Sequence, residues 1–226
     1  MDRGKGTRQA ITRQATQWAT LRAALQATLV VAIATVAAAG PQEAYPVTVR
    51  VYDMAGLDAA TTRTALTTSG SALRSASVAV QWEECSAGSL TVRCDAPLAG
   101  DYVVRIVRTA DASGRAPHAL GDALVDIATG SAVFATIYVQ RVQRLSQSAG
   151  ADEGELLGHA IAHELGHLLL ASHAHSGQGL MRPVWREREL RRRSAGDWQF
   201  SAQDAAAIRA RIEAARLSRN IVWTTR

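Results

Sequence analysis

The chain has 226 residues, of which 47% are hydrophobic, and a formal charge of +5, so it can bury the core of a single domain and is not a disordered chain. The basic excess lies in residues 1–39, where Arg3, Lys5, Arg8, Arg13 and Arg22 face Asp2 alone; beyond them 20 basic residues balance 19 acidic ones. A near-neutral body excludes the electrostatic footprint of a nucleic-acid-binding protein.

The N-terminal basic stretch leads into an apolar run over residues 29–39, closed by Gly40-Pro41. Ala37 and Ala39 fit an A-x-A cleavage site, and the run is short for a membrane span. Residues 1–39 are therefore expected to be a signal peptide, with residues 40–226 as a single exported domain, secreted or periplasmic. The rival is an uncleaved signal anchor, the one reading that would give this chain a membrane partner.

After that segment, residues 47–53 alternate apolar and polar side chains as a half-buried strand does. Residues 57–73, rich in Ala, Thr and Leu, predict a helix; 78–82 and 101–108 predict two more strands. Cys85 and Cys94, nine positions apart, read as a local disulfide in an exported chain, with free thiols as the alternative. Breakers at Asp111, Ser113, Gly114 and Pro117 make 109–121 a loop, followed by short strands at 123–127 and 132–139 around Thr129-Gly130. Helices are predicted over 139–149, over 155 to about 171, and over 201–217 behind an N-cap at Ser201, with a charged helical or irregular segment at 183–193. Strands first and helices after predict an α+β domain in which a mixed sheet packs on a long helix, with a further helix at the C-terminus.

The chemistry concentrates in residues 159–175, which hold five of the six histidines. On a helix, His163 and His167 project from one face, close enough to share a zinc ion. Glu164 stands about 100° round the axis from His163, bordering that face, where a general base for a zinc-activated water must be. Leu157, Ile161, Leu165, Leu168 and Leu169 fall on the opposite side, the one to be buried. A catalytic zinc also needs a third protein ligand and an open position.

His163, Glu164, His167 and His173 match the fixed positions of H-E-x-x-H-x-x-G-x-x-H, and residues 179–183 (Gly-Leu-Met-Arg-Pro) follow with Met181 eight residues beyond His173. In these features the chain resembles the metzincin zinc metallopeptidases, matrixin-like members in particular. The resemblance implies zinc as cofactor, a peptide or protein substrate bound along an edge strand, peptide-bond hydrolysis with Glu164 as general base, and Met181 as an apolar floor beneath the metal. One position departs from the pattern: Leu170 stands where the family has glycine. Leucine resists the left-handed conformation in which such a helix ends. A later exit favours His175 over His173 as third ligand, and both stay open. No tyrosine follows Met181 closely, so no tyrosine ligand is expected.

Two rivals are kept beside this reading. One is an exported non-catalytic domain that merely holds zinc; the other is a gluzincin-like site with Glu187 or Glu189 as third ligand. Elsewhere, His159 reads as an exposed helix-surface residue and His118 as a solvated loop residue. The run Arg186–Arg193 reads as a solvated charged face. Trp82, Trp185 and Trp198 read as core or rim packing, with Trp185 alternatively walling a substrate pocket.

Overall fold

The computed structural model describes residues 44–85, 94, 100–109, 118–192 and 194–224, with side chains to residue 218. The expected signal segment and most of the predicted 109–121 loop lie outside the described residues.

Alternating strands build a five-stranded sheet. In chain order they are β1 (Tyr45–Asp53), β2 (Val78–Glu84), β3 (Tyr102–Val107), β4 (Gly121–Asp126) and β5 (Ser131–Tyr138). The sheet order is β2-β1-β3-β5-β4. All neighbours are parallel except the β4–β5 hairpin, which leaves β4 as an antiparallel edge. The turn between those two strands is held by Asp126, whose carboxylate accepts from Ala128 and Thr129 N–H, and by Gly130 at φ 65°. A register shift opposite Leu124 and Val125 leaves Val133 unpaired in β5, a β-bulge beside the edge strand.

Helix α1 (Ala59–Arg74) connects β1 to β2 as a parallel crossover requires. Its N-cap Asp58 accepts from Ala60 and Thr61 N–H. Helix α2 (Val139–Ala149) leaves β5 directly and stops at Gly150, which takes the left-handed cap at φ 63°. Asp152 then caps α3 (Glu153–Leu170), two residues earlier than the sequence pattern suggested, by accepting from Glu155 N–H. A short α4 (Glu187–Arg192), a 3-10 turn at Ala195–Trp198 and α5 (Ala202–Thr224) complete the described chain. Ser201 caps α5, its Oγ accepting from Asp204 N–H at 3.1 Å and donating to the Asp204 carboxylate at 2.6 Å.

Helix α3 lies under the sheet and is buried on nearly every side, not on one face alone. Leu157, Ile161 and Leu165 belong to one core cluster with Val49, Val104, Ile106 and Ile137 of the sheet. Each such leucine contributes roughly 1.5–3 kcal/mol by its removal from water. Against α1 the helix presents Gly158, where a Cβ would lie 2.5 Å from the Ala65 carbonyl, so the two backbones run in near contact. The result is a rigid central rod, and it carries the site.

Cys85 and Cys94 form a disulfide with a Cα–Cα distance of 5.7 Å, as expected from their spacing. It ties the end of β2 to the following segment and marks an oxidising, extracellular or periplasmic setting. Among the described residues, no helix is long and apolar enough to cross a membrane.

Candidate metal centre and cleft

His163 and His167 lie one turn apart on α3 and are buried, with 9% and 5% exposure. Each ring is oriented by a backbone carbonyl: His163 Nδ1 donates to Leu180 O at 2.9 Å and His167 Nδ1 to Ser172 O at 2.8 Å. A carbonyl oxygen can only accept, so the proton of each neutral ring sits on Nδ1 and the lone pair on Nε2. Those two Nε2 atoms face each other at 3.2 Å. Two lone pairs at that distance repel unless a cation lies between them. Tetrahedral coordination at zinc–nitrogen lengths would set ligand nitrogens about 3.3 Å apart, so the pair fits a zinc ion. Burial drives the proton affinity of both rings down, His163 to about 3 and His167 to about 4, which keeps them neutral and ready to ligate.

The third imidazole is His175. Ligand atoms of His163, His167 and His175 all lie within 4.8 Å of one another, a grouping able to hold a metal ion. The chain reaches this arrangement because α3 ends one residue later than the family glycine would dictate. Leu170 stays helical, and Ala171 takes the left-handed conformation instead, at φ 44° and ψ 49°. Its N–H bonds back to His167 and Leu168 carbonyls, closing the helix. With the turn displaced, His173 points elsewhere: its Nε2 donates to Val125 O on the edge strand at 3.3 Å. His173 is thus outside the cluster, and the motif position it occupies in sequence is not its position in space.

Glu187 and Glu189 are not in the cluster either. Glu187 pairs with Arg191 at 3.1 Å, and Glu189 accepts from Arg186 N–H at 2.9 Å at the start of α4. The structure therefore gives the gluzincin-like alternative no third ligand.

Glu164 is 7% exposed and lines the same cleft as the three histidines. Burial, reinforced by the nearby Asp122 carboxylate, raises its pKa to about 8. A residue that the sequence pattern placed in a loop makes room for it: Gly121, the first residue of β4. A Cβ there would lie 2.8 Å from Glu164 Cγ and 2.7 Å from Thr136 O. A glycine at a strand start next to a predicted site was the available clue.

Below the histidines, Met181 is fully buried, and its carbonyl accepts from Ser176 N–H at 2.8 Å, closing the turn. Its sulfur packs against α3 at Gly166. Gly179 enters that turn at φ 71°, where a Cβ would also strike Gln199 O at 2.5 Å.

Aromatic rings close the other flank. Trp185 stands edge-on to His163, with centroids 5.5 Å apart, and lines the cleft, as its alternative reading anticipated. Trp198 packs edge-on against Trp185 at 5.2 Å and stacks on His159 at 4.3 Å. His159 is thus not an exposed surface residue. It is partly buried under Trp198, burial lowers its pKa to about 4, and its Nδ1 has no hydrogen-bond partner among the described residues. Trp198 and Trp82 pack in or against the core, while His118 is exposed at the cleft mouth.

The cleft itself has a volume of about 990 Å³ and runs between edge strand β4, helix α2 and the segment 182–185. The metal-ligand candidates and Glu164 open onto it together, as an acid–base site beside a Lewis acid requires.

No protein-family model and no curated protein matches this chain. Among solved structures, the crystal structure of archaemetzincin from Methanopyrus kandleri superposes with a TM-score of 0.52 over 75% of this chain and 97% of that one, at 13% identity. The mixed sheet over a long histidine-bearing helix is therefore an archaemetzincin-like fold.

Proposed function

We propose that this chain is an exported zinc-dependent endopeptidase. The observation that carries the reading is the convergence of two buried Nε2 lone pairs at 3.2 Å, with a third imidazole beside them and Glu164 opening onto the same cleft. The archaemetzincin-like fold supports it.

His163, His167 and His175 are the zinc ligands in this reading. When bound, zinc supplies a Lewis acid that polarises a scissile carbonyl and lowers the pKa of water. Glu164 takes the proton of the attacking water on its carboxylate and delivers it to the departing amine. Burial and Asp122 make that carboxylate a better proton acceptor than an exposed one, while the metal's charge draws its pKa back. Carbonyl contacts at Leu180 and Ser172 fix both ligand rings, so the site does not reorganise as charge develops. Substrate peptide lies extended beside β4, whose outer edge has no strand partner among the described residues. Export proceeds through residues 1–39 as a signal peptide, consistent with the disulfide.

The test is metal content and peptide cleavage on the purified chain, before and after chelation and zinc return. One zinc per chain with cleavage that follows it supports the proposal. Stoichiometric zinc without cleavage of any peptide in a diverse mixture would leave the non-catalytic zinc domain.

A further inference from the structure

The cleft wall built by α2 has a chemistry that the zinc site does not use. Arg141, Arg144, Leu145 and Ser148 fall at helical spacings i, i+3, i+4 and i+7, so one face of α2 lines the cleft. Its other face, with Val142 and Ala149, is buried in the domain. The cleft cations differ in how far their charge is already engaged. Arg141 donates to Ala119 O at 2.7 Å and lies over the Tyr138 ring at 4.8 Å. Arg182 is paired with Asp197 at 3.2 Å and Glu189 at 3.7 Å. Arg144 is exposed to the cleft and, among the described residues, has no hydrogen-bond or ion-pair partner.

Position makes this cation relevant to the site. Ala160 of α3 lines the same cleft as Leu145 and Arg144, and it lies three residues before His163 and four before Glu164. Helix α2 packs on α3, the helix that carries His163 and Glu164, so the α2 wall belongs to the same cleft as the site. The cleft's own carboxylates do not satisfy Arg144: Asp122 accepts from the Tyr138 hydroxyl, and Glu164 is buried beside Gly121. The cleft that Arg144 shares with the three histidines also has aliphatic lining, with Leu120, Leu145 and Ala160. A cleft with aliphatic lining and a guanidinium that has no partner among the described residues suits a carboxylate on an aliphatic stem.

We infer that Arg144 is a specificity-determining residue that receives a substrate carboxylate in the cleft onto which the three histidines and Glu164 open. This inference rests on the peptidase reading of the same cleft. A carboxylate can reach Arg144 from a glutamyl side chain or from the end of a peptide chain, and the two sources are separable.

The experiment measures peptide binding to zinc-loaded Glu164→Gln protein by calorimetry, so that it does not depend on turnover. C-terminally amidated hexapeptides carry Glu or Gln at each position in turn; a second set carries Gln throughout and ends in a free carboxylate. In one set or the other, the carboxylate-bearing peptide is expected to bind about 5-fold more tightly than its neutral counterpart. The preference should vanish in an added Arg144→Gln change, reverse in Arg144→Glu, and shrink at high salt. Arg144 lies at the surface, so these variants are expected to fold, and circular dichroism verifies it. A preference that survives Arg144→Gln, or no preference in either set, overturns the inference. Failure of the wild-type chain to cleave any peptide, with Arg144-dependent binding intact, would instead count against the peptidase reading and leave the carboxylate site standing.

Discussion

Gly166 and Met181 compete for one volume: a Cβ on Gly166 would lie 2.5 Å from the Met181 sulfur and 2.8 Å from Phe200 Cε1. The methionine turn can rise to the underside of the ligand helix only because residue 166 has no side chain. That contact joins the two parts of the site that come from different sequence segments, the helix with His163 and His167 and the turn whose Leu180 carbonyl orients His163.

Gly166→Ala tests this contact with a sign. Helix propensity alone would make the change stabilising by about 1 kcal/mol. Overpacking against a fully buried methionine is expected to outweigh it, for a net destabilisation of about 1–3 kcal/mol by urea unfolding. Combined with Met181→Ala, Gly166→Ala should cost less than the sum of the two single changes, because the smaller side chain vacates the contested space. A more stable Gly166→Ala protein contradicts the packing described.

The third ligand separates two histidines two residues apart. His175→Ala should lose zinc under mild chelation, because two imidazoles alone hold the ion weakly. His173→Ala should keep it, with affinity reduced by at most about 10–100-fold through the lost contact to Val125. Zinc lost on His173→Ala and kept on His175→Ala would reverse the assignment.

Much of this was legible in sequence, and the exceptions share a cause. The strand and helix order, the histidine pair with Glu164 and the disulfide follow from local patterns of residue type, and the turn at Met181 from the metzincin resemblance. What local pattern could not decide was the path of the chain between Leu170 and His175. Leu170 argued for a later helix exit, but only the left-handed Ala171 shows where the turn falls and which histidine it carries inward. His159 was misplaced for a similar reason: its partner Trp198 is 39 residues away, and helical spacing says nothing about what covers a face. Gly121 was read as part of a loop, since the close approach that requires it comes from another element.

His159 makes a prediction about pH. Its pKa is about 4 in the folded protein against an ordinary 6.5, so below pH 6.5 the unfolded chain binds a proton that the folded one refuses. Stability from this group is complete above pH 6.5 and is lost as pH falls from there toward 4, by about 3 kcal/mol at the end of the window. His159→Phe keeps a ring against Trp198 but cannot titrate. Unfolding free energies at pH 7.5 and 5.0 should therefore fall less for His159→Phe than for the wild-type chain. Equal losses in both would show that this ring is not held neutral by burial.

Glu164→Ala bears most directly on the central claim, with zinc content and peptide cleavage measured on the same sample. The three imidazoles are untouched by the change, so zinc should remain at one per chain. Cleavage should fall by several powers of ten, because the only buried carboxylate bordering the metal cluster among the described residues is gone. Undiminished turnover with zinc retained would contradict the account, since hydrolysis would then proceed without the base on which it depends.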